Sequence, residues 1–169
     1  NWKNSGGTAT LTANATVNSL NQMNDFTINS GVTLPLGSGG LLMAGNPSRW
    51  MLGGSTTTTF LTSGAGNGAL DVYVPGGTDN NWTIWPIIAD NGVTPVILVK
   101  NSTGMLKLRN INSYTGGTIV NAGILAARGN DSYGQGVNTA GTITPFGTGA
   151  IVVNNSELLL GSDVNIFSS

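Results

Sequence analysis

Between Gly104 and Ala127 the chain reads GMLKLRNINSYTGGTIVNAGILAA: an alternating run, a glycine pair that turns the chain, a second run, and a third after another glycine. Short runs broken this often by Gly and Asn leave no window long enough for a stable helix, and no 3.6-residue apolar stripe is present. Leu106 and Leu108 share one face of their run while Lys107 and Arg109 share the other. That alternation predicts a strand with one buried and one solvated side.

The same grammar runs through the rest of the chain. TATLTA and ATVNSL between residues 8 and 20 read as strands, as do residues 24–28 and the set Val32, Leu34 and Leu36. Pro35 cannot donate a ladder hydrogen bond and predicts a strand end or bulge. Trp50, Met51 and Leu52 re-enter the core after the NPSR loop, and TTTTFLTSG precedes the Asn67-Gly68 turn. ALDVYVP, NWTIWPIIAD and TPVILVK follow, with Trp82, Ile84 and Ile87 expected to pack and Pro86 and Asn91-Gly92 marking bends. After a polar loop from Arg128 to Pro145, FGTGAIVVNNSELLL repeats the plan of GGTIVNAGILAA.

Composition narrows the chemistry. The chain has 169 residues, suited to a single domain over 1–169, and 26 are Gly. Only 8% are charged and the formal net charge is -1, so Asn, Thr, Ser and Gly must supply the wetted surface. There is no concentrated basic charge to attract nucleic acid, and no apolar run of about 18 residues for direct membrane insertion. Without Cys or His the chain lacks thiolate metal sites, disulfides and the commonest general base. No cofactor is expected. The start at Asn1 carries no signal-peptide pattern and suggests a processed product or an excerpt.

Strands of this length and spacing fit an all-β sandwich, a barrel or a β-solenoid. The self-similar unit of strand, small-residue corner and strand favours the solenoid, where each lap finds its hydrogen bonds in the next lap about 4.8 Å away. KNSTGMLKLRNINSYTGGTIVNAGIL, residues 100–125, resembles the autotransporter-associated β-strand repeat of bacterial passenger domains. That pattern is met by Lys100, Gly104, Leu106, Leu108, Asn112, Tyr114, Gly116, Gly117, Thr118, Val120, Gly123 and Leu125. Ser102 and Asn110 stand where the repeat usually has glycine. Residues 146–160 resemble the stretch that commonly follows this repeat, and residues 19–45 resemble more loosely the laps before it. The resemblance implies a right-handed parallel β-helix at or beyond the bacterial surface.

Candidate chemistry is sparse. Asp71, Asp79 and Asp90 are the carboxylates that adjacent laps could bring together for glycan cleavage, although Asp79 and Asp90 sit in ordinary turn contexts. TDNN and GNDS offer oxygen ligands without a calcium-loop pattern. Sequons at Asn14, Asn81, Asn101, Asn130 and Asn154 follow from composition, and Thr56 to Thr59 do not recur as an ice-binding array. Trp50, Trp82 and Trp85 are better read as packing than as a sugar platform. The expectation is an extracellular, non-enzymatic scaffold or adhesin-type protein. Its partners are self-association or continuation at its ends, and a host or surface glycan or protein. A carbohydrate-active enzyme or glycan-binding module is the alternative.

Overall fold

The computed structural model describes residues 1–45, 50–53, 59–76, 81–127 and 144–160. Its elements are strands that alternate between two sheets. The first laps are β1 (Trp2–Asn4) with β2 (Ala9–Leu11), β3 (Val17–Gln22) with β4 (Phe26–Ile28), and β5 (Thr33–Met43) with β6 (Trp50–Gly53). Next come β7 (Phe60–Ser63) and β8 (Ala69–Tyr73) with β9 (Asn81–Ile84), then β10 (Ile87–Ile88) and β11 (Ile97–Asn101) with β12 (Met105–Leu108). β13 (Thr118–Val120) with β14 (Ile124–Ala127), and β15 (Ile151–Val153) with β16 (Glu157–Leu160), complete the described stack.

Among the described residues one sheet has nine strands, stacked β1-β3-β5-β8-β11-β13-β15 with β7 and β10 beside them; the other has seven, stacked β2-β4-β6-β9-β12-β14-β16. Every strand-to-strand ladder is parallel. This is the parallel β-helix, or β-solenoid, expected from the sequence, and the antiparallel sandwich does not describe it. Strand follows corner follows strand within each lap, and the hydrogen bonds lie between laps, where a chain that keeps winding in one direction pairs its strands in parallel.

The core is the stack of inward positions. Leu20, Leu41, Val72, Lys100 and Val120 follow one another in register along the first sheet. Trp82, Leu106 and Leu125 do so along the second, beside Phe26, Met51, Ile84 and Leu108. These side chains are buried. A third, shorter inward row runs Leu34, Leu61 and Ile88, where the first half of β5 pairs with β7 and β7 with β10.

Two sequence expectations are corrected, and a third is met in one of its two forms. Pro35 does not end a strand, since β5 runs through it, but the irregularity that was its other reading follows at once, where Val17 pairs with Leu36 but Ser19 with Gly40. The Val32 and Leu36 carbonyls accept from Phe60 and Gly64 on the β7 side, so Pro35, out of phase with them, turns its missing donor away from that ladder. Arg109 is buried, not solvated, because the chain leaves β12 at Leu108 and the alternation ends there. Its guanidinium lies 4.3 Å from the centre of the Trp85 ring. Ile88 is buried where Ile87 was expected, while Trp82 and Ile84 pack as anticipated. The packing expected of Trp50 and Leu52 concerns side chains outside those described, although both residues lie in β6. The turns at Asn67-Gly68 and Asn91-Gly92 are present, with Gly68 and Gly92 at φ 72° and 62°.

Candidate functional site

The repeat residues occupy two successive laps that stack on each other, with roles that differ more than the motif implies. Leu106, Leu108, Val120 and Leu125 are inward and buried, as their alternation requires. Gly104 and Gly116 admit neighbouring backbone: a Cβ on either would collide with the Val74 and Val96 carbonyls at 2.6 Å. Gly117 and Gly123 lie at corners in the left-handed region, at φ 101° and 71°.

Asn112 continues the third inward row. The Ser113 amide donates to the Ile88 carbonyl as the Ala89 amide does to Leu61, which puts Asn112 over Ile88. A buried amide there needs partners, and it has them. Its Oδ1 accepts from the Ile88 amide at 2.8 Å, and its Nδ2 donates to the Pro145 carbonyl at 2.6 Å and to the Asn110 carbonyl at 3.3 Å. Asn112 thus ties its own lap to those before and after it.

Tyr114 and Thr118 form the second buried polar joint. The Thr118 hydroxyl donates to the Phe146 carbonyl at 2.9 Å, so the Tyr114 hydroxyl, 2.6 Å from Thr118 Oγ1, is the donor in that pair. Burial pushes the Tyr114 phenol well above its ordinary range, which the Thr118 contact only partly opposes.

Lys100 is the least expected member, a fully buried lysine in an otherwise apolar column. Its ammonium donates to the carbonyls of Asn101 (3.0 Å), Ser102 (2.6 Å) and Ala122 (3.0 Å), matching all its N–H groups. Burial pushes its pKa down to about 8, leaving the charged form in place at neutral pH. Sequence alternation assigns Lys100 to the inward face along with Leu98; the polarity of its side chain hides that assignment.

Of the candidate catalytic carboxylates, the two described ones, Asp71 and Asp90, have separate structural partners. Asp90 is a clamp: its Oδ1 accepts from the Val96 amide at 2.7 Å and the Thr115 amide at 2.9 Å, and its Oδ2 from the Thr115 hydroxyl at 2.8 Å. Burial raises its pKa, but these bonds more than offset that and the net direction is downward. Asp71 is on the outer face of β8, where its Oδ1 receives the Asn101 amide at 3.4 Å. Asp79, the TDNN and GNDS loops, Asn130 and Thr56 to Thr58 lie outside the described residues, and among the described residues no acidic cluster could hold a metal ion.

Sequence reasoning missed an exposed amide ladder. Asn121 Nδ2 donates to Asn101 Oδ1 at 2.9 Å and Asn154 Nδ2 to Asn121 Oδ1 at 3.0 Å, extending the Asp71–Asn101 contact along the stack. The signal was available: each Asn directly follows an inward residue, Lys100, Val120 or Val153.

Residues 98–127 match the family model described as passenger-associated-transport-repeat. This stretch spans β11 and β12 of one lap and β13 and β14 of the next, which stack on each other. The chain therefore carries an autotransporter passenger repeat within a parallel β-solenoid, and that repeat marks a surface-associated or secreted bacterial protein. No curated protein and no solved structure matches the chain.

Proposed function

We propose that the chain is a non-enzymatic scaffold segment of a bacterial surface protein, a rigid stalk that displays its loops and adds further laps at its ends. The observation that carries this reading is the ladder itself, which stays in parallel register from β1 and β2 to β15 and β16. The repeat residues all serve that ladder. Lys100 and Asn112, buried polar groups of the repeat, spend their side-chain hydrogen bonds on backbone of this or adjacent laps, and Thr118 donates to the Phe146 carbonyl.

Among the described residues, β1 and β2 at one side and β15 and β16 at the other have no further strand on their outer edges, which favours continuation, by more laps of the same polypeptide or by a second copy. At the β15–β16 side, Ile151, Val153 and Leu159 are partly exposed, and the Asn154 side-chain Oδ1 is the next acceptor in the amide ladder. Electron microscopy of the native protein tests the proposal. Extended rods or filaments are expected; compact particles that remain capped monomers at high concentration in light scattering would overturn it. Depolymerisation of a polysaccharide panel, abolished by Asp71→Asn or Asp90→Asn, would replace it with the enzymatic alternative.

A further inference from the structure

We propose that the outer face of the nine-stranded sheet carries a binding subsite for a neutral pyranose, centred on Tyr73 and continued by the asparagine ladder. The site is a product of register. Ser19, Gly40 and Asp71 follow one another in one outward row, and Leu42, Tyr73 and Asn101 in the next. Gly40 contributes no side chain, so the sheet is hollow there, and a depression of about 300 Å³ opens between the two rows. That is the lower end of the volumes small-molecule sites occupy, about 300–1,000 Å³.

The wall chemistry selects the ligand. Tyr73 is 50% exposed and offers an aromatic edge and face to an apolar C–H surface, with a hydroxyl for a polar rim. Among the described residues Asp71 accepts a single long bond, from Asn101, which leaves its second oxygen to receive a hydroxyl donor. A pyranose presents both kinds of surface, an apolar face and a rim of hydroxyls. No Lys or Arg lines the depression, and Asp71 repels acidic sugars, which restricts the class to neutral ones.

The ladder extends the site along the stack. Asn101, Asn121 and Asn154 each commit one amide N–H to the neighbouring lap, and the other points to no protein partner among the described residues. A linear glycan lying along the solenoid axis would pass this row of donors after leaving Tyr73. Longer oligomers are therefore expected to bind more tightly than the monosaccharide.

The test is titration of the isotopically labelled chain, followed by NMR, with glucose, cellohexaose, maltohexaose and mannohexaose, and with hexagalacturonate as the acidic control. At least one neutral hexaose should shift resonances around Gly40, Asp71 and Tyr73 and bind more tightly than glucose, while hexagalacturonate leaves them unmoved. Tyr73→Ala should weaken binding about tenfold, a loss on the scale of one aromatic contact, and Tyr73→Trp should retain it. Gly40→Val should fill the hollow. A Cβ at Gly40 meets Ser19 Cβ at 3.5 Å and Ser38 Oγ at 3.6 Å, both ordinary contacts, so this variant should keep the wild-type melting temperature while losing the ligand. Asn121→Ala should weaken the hexaose and leave glucose unchanged. Absence of shifts with every neutral hexaose at millimolar concentration, or binding that survives Tyr73→Ala, would overturn the proposal; neither result bears on the scaffold reading.

Discussion

At Ser102 the chain departs from the glycine usual in its repeat, and the backbone has kept the glycine conformation, with φ at 71°. A left-handed residue with a Cβ costs roughly 1–2 kcal/mol, partly offset by the lower unfolded-state entropy of Ser. Ser102→Gly should therefore stabilise the fold by about 0.5 kcal/mol, read as a higher urea midpoint. Asn110, the other departure, behaves differently. It lies outside the left-handed region, its Oδ1 accepts from the Ile111 amide at 2.9 Å, and its Nδ2 donates to the Trp85 carbonyl at 3.0 Å. Restoring glycine there should destabilise. The two positions look alike in sequence because a motif records which residue is common, while φ and hydrogen bonds decide whether a substitute is strained or employed.

Lys100 and Tyr114 give the fold a dependence on alkaline pH. Lys100 releases its proton near 8 when folded and near 10.5 when unfolded, so between those values the unfolded chain binds more protons and stability rises with pH. Tyr114 ionises near 10 only when unfolded, so stability falls above that pH. The two limbs cancel slightly above pH 10, where denaturation midpoints should peak. Lys100→Met should remove the rising limb and lower stability at neutral pH by about 1–3 kcal/mol, since three carbonyls lose their donor.

Among the elements, the corners are less forgiving than the strands. Gly123 combines φ 71° with carbonyls of Gly104 and Ser102 at 2.6 and 2.7 Å from where a Cβ would stand. Gly123→Ala should cost at least about 2 kcal/mol in chemical denaturation, well above an average surface substitution. β5 was legible as apolar alternation at Val32, Leu34 and Leu36, but its bend was not. That bend uses Gly39, at φ 74° and against the Ala69 carbonyl, a residue of another lap that the local sequence does not contain. Arg109 fails for a similar reason: alternation describes a strand only while the strand lasts, and β12 stops one residue earlier.

Across the whole molecule, stability should grade from the middle of the stack to its edges, because each interior lap is bonded on both sides and each terminal one on one side. Hydrogen exchange should be slowest in β8, β11 and β12 and fastest in β1 and β15, the two ends of the nine-stranded order. Uniform protection from end to end would contradict this. The sequence by itself determined the strands, the glycine corners and, through one repeat, the kind of protein: period-two alternation and left-handed conformations are local properties that a short window of residues expresses. Tertiary structure alone decided which strands meet, that Asn112 joins the third inward row, that Lys100 is sealed among carbonyls, and that Gly40 opens a hollow beside Tyr73. Successive rungs of the asparagine ladder lie 30, 20 and 33 residues apart, so no fixed period announces them. Corner loops absorb the difference in length, and only the stacked hydrogen bonds restore the register.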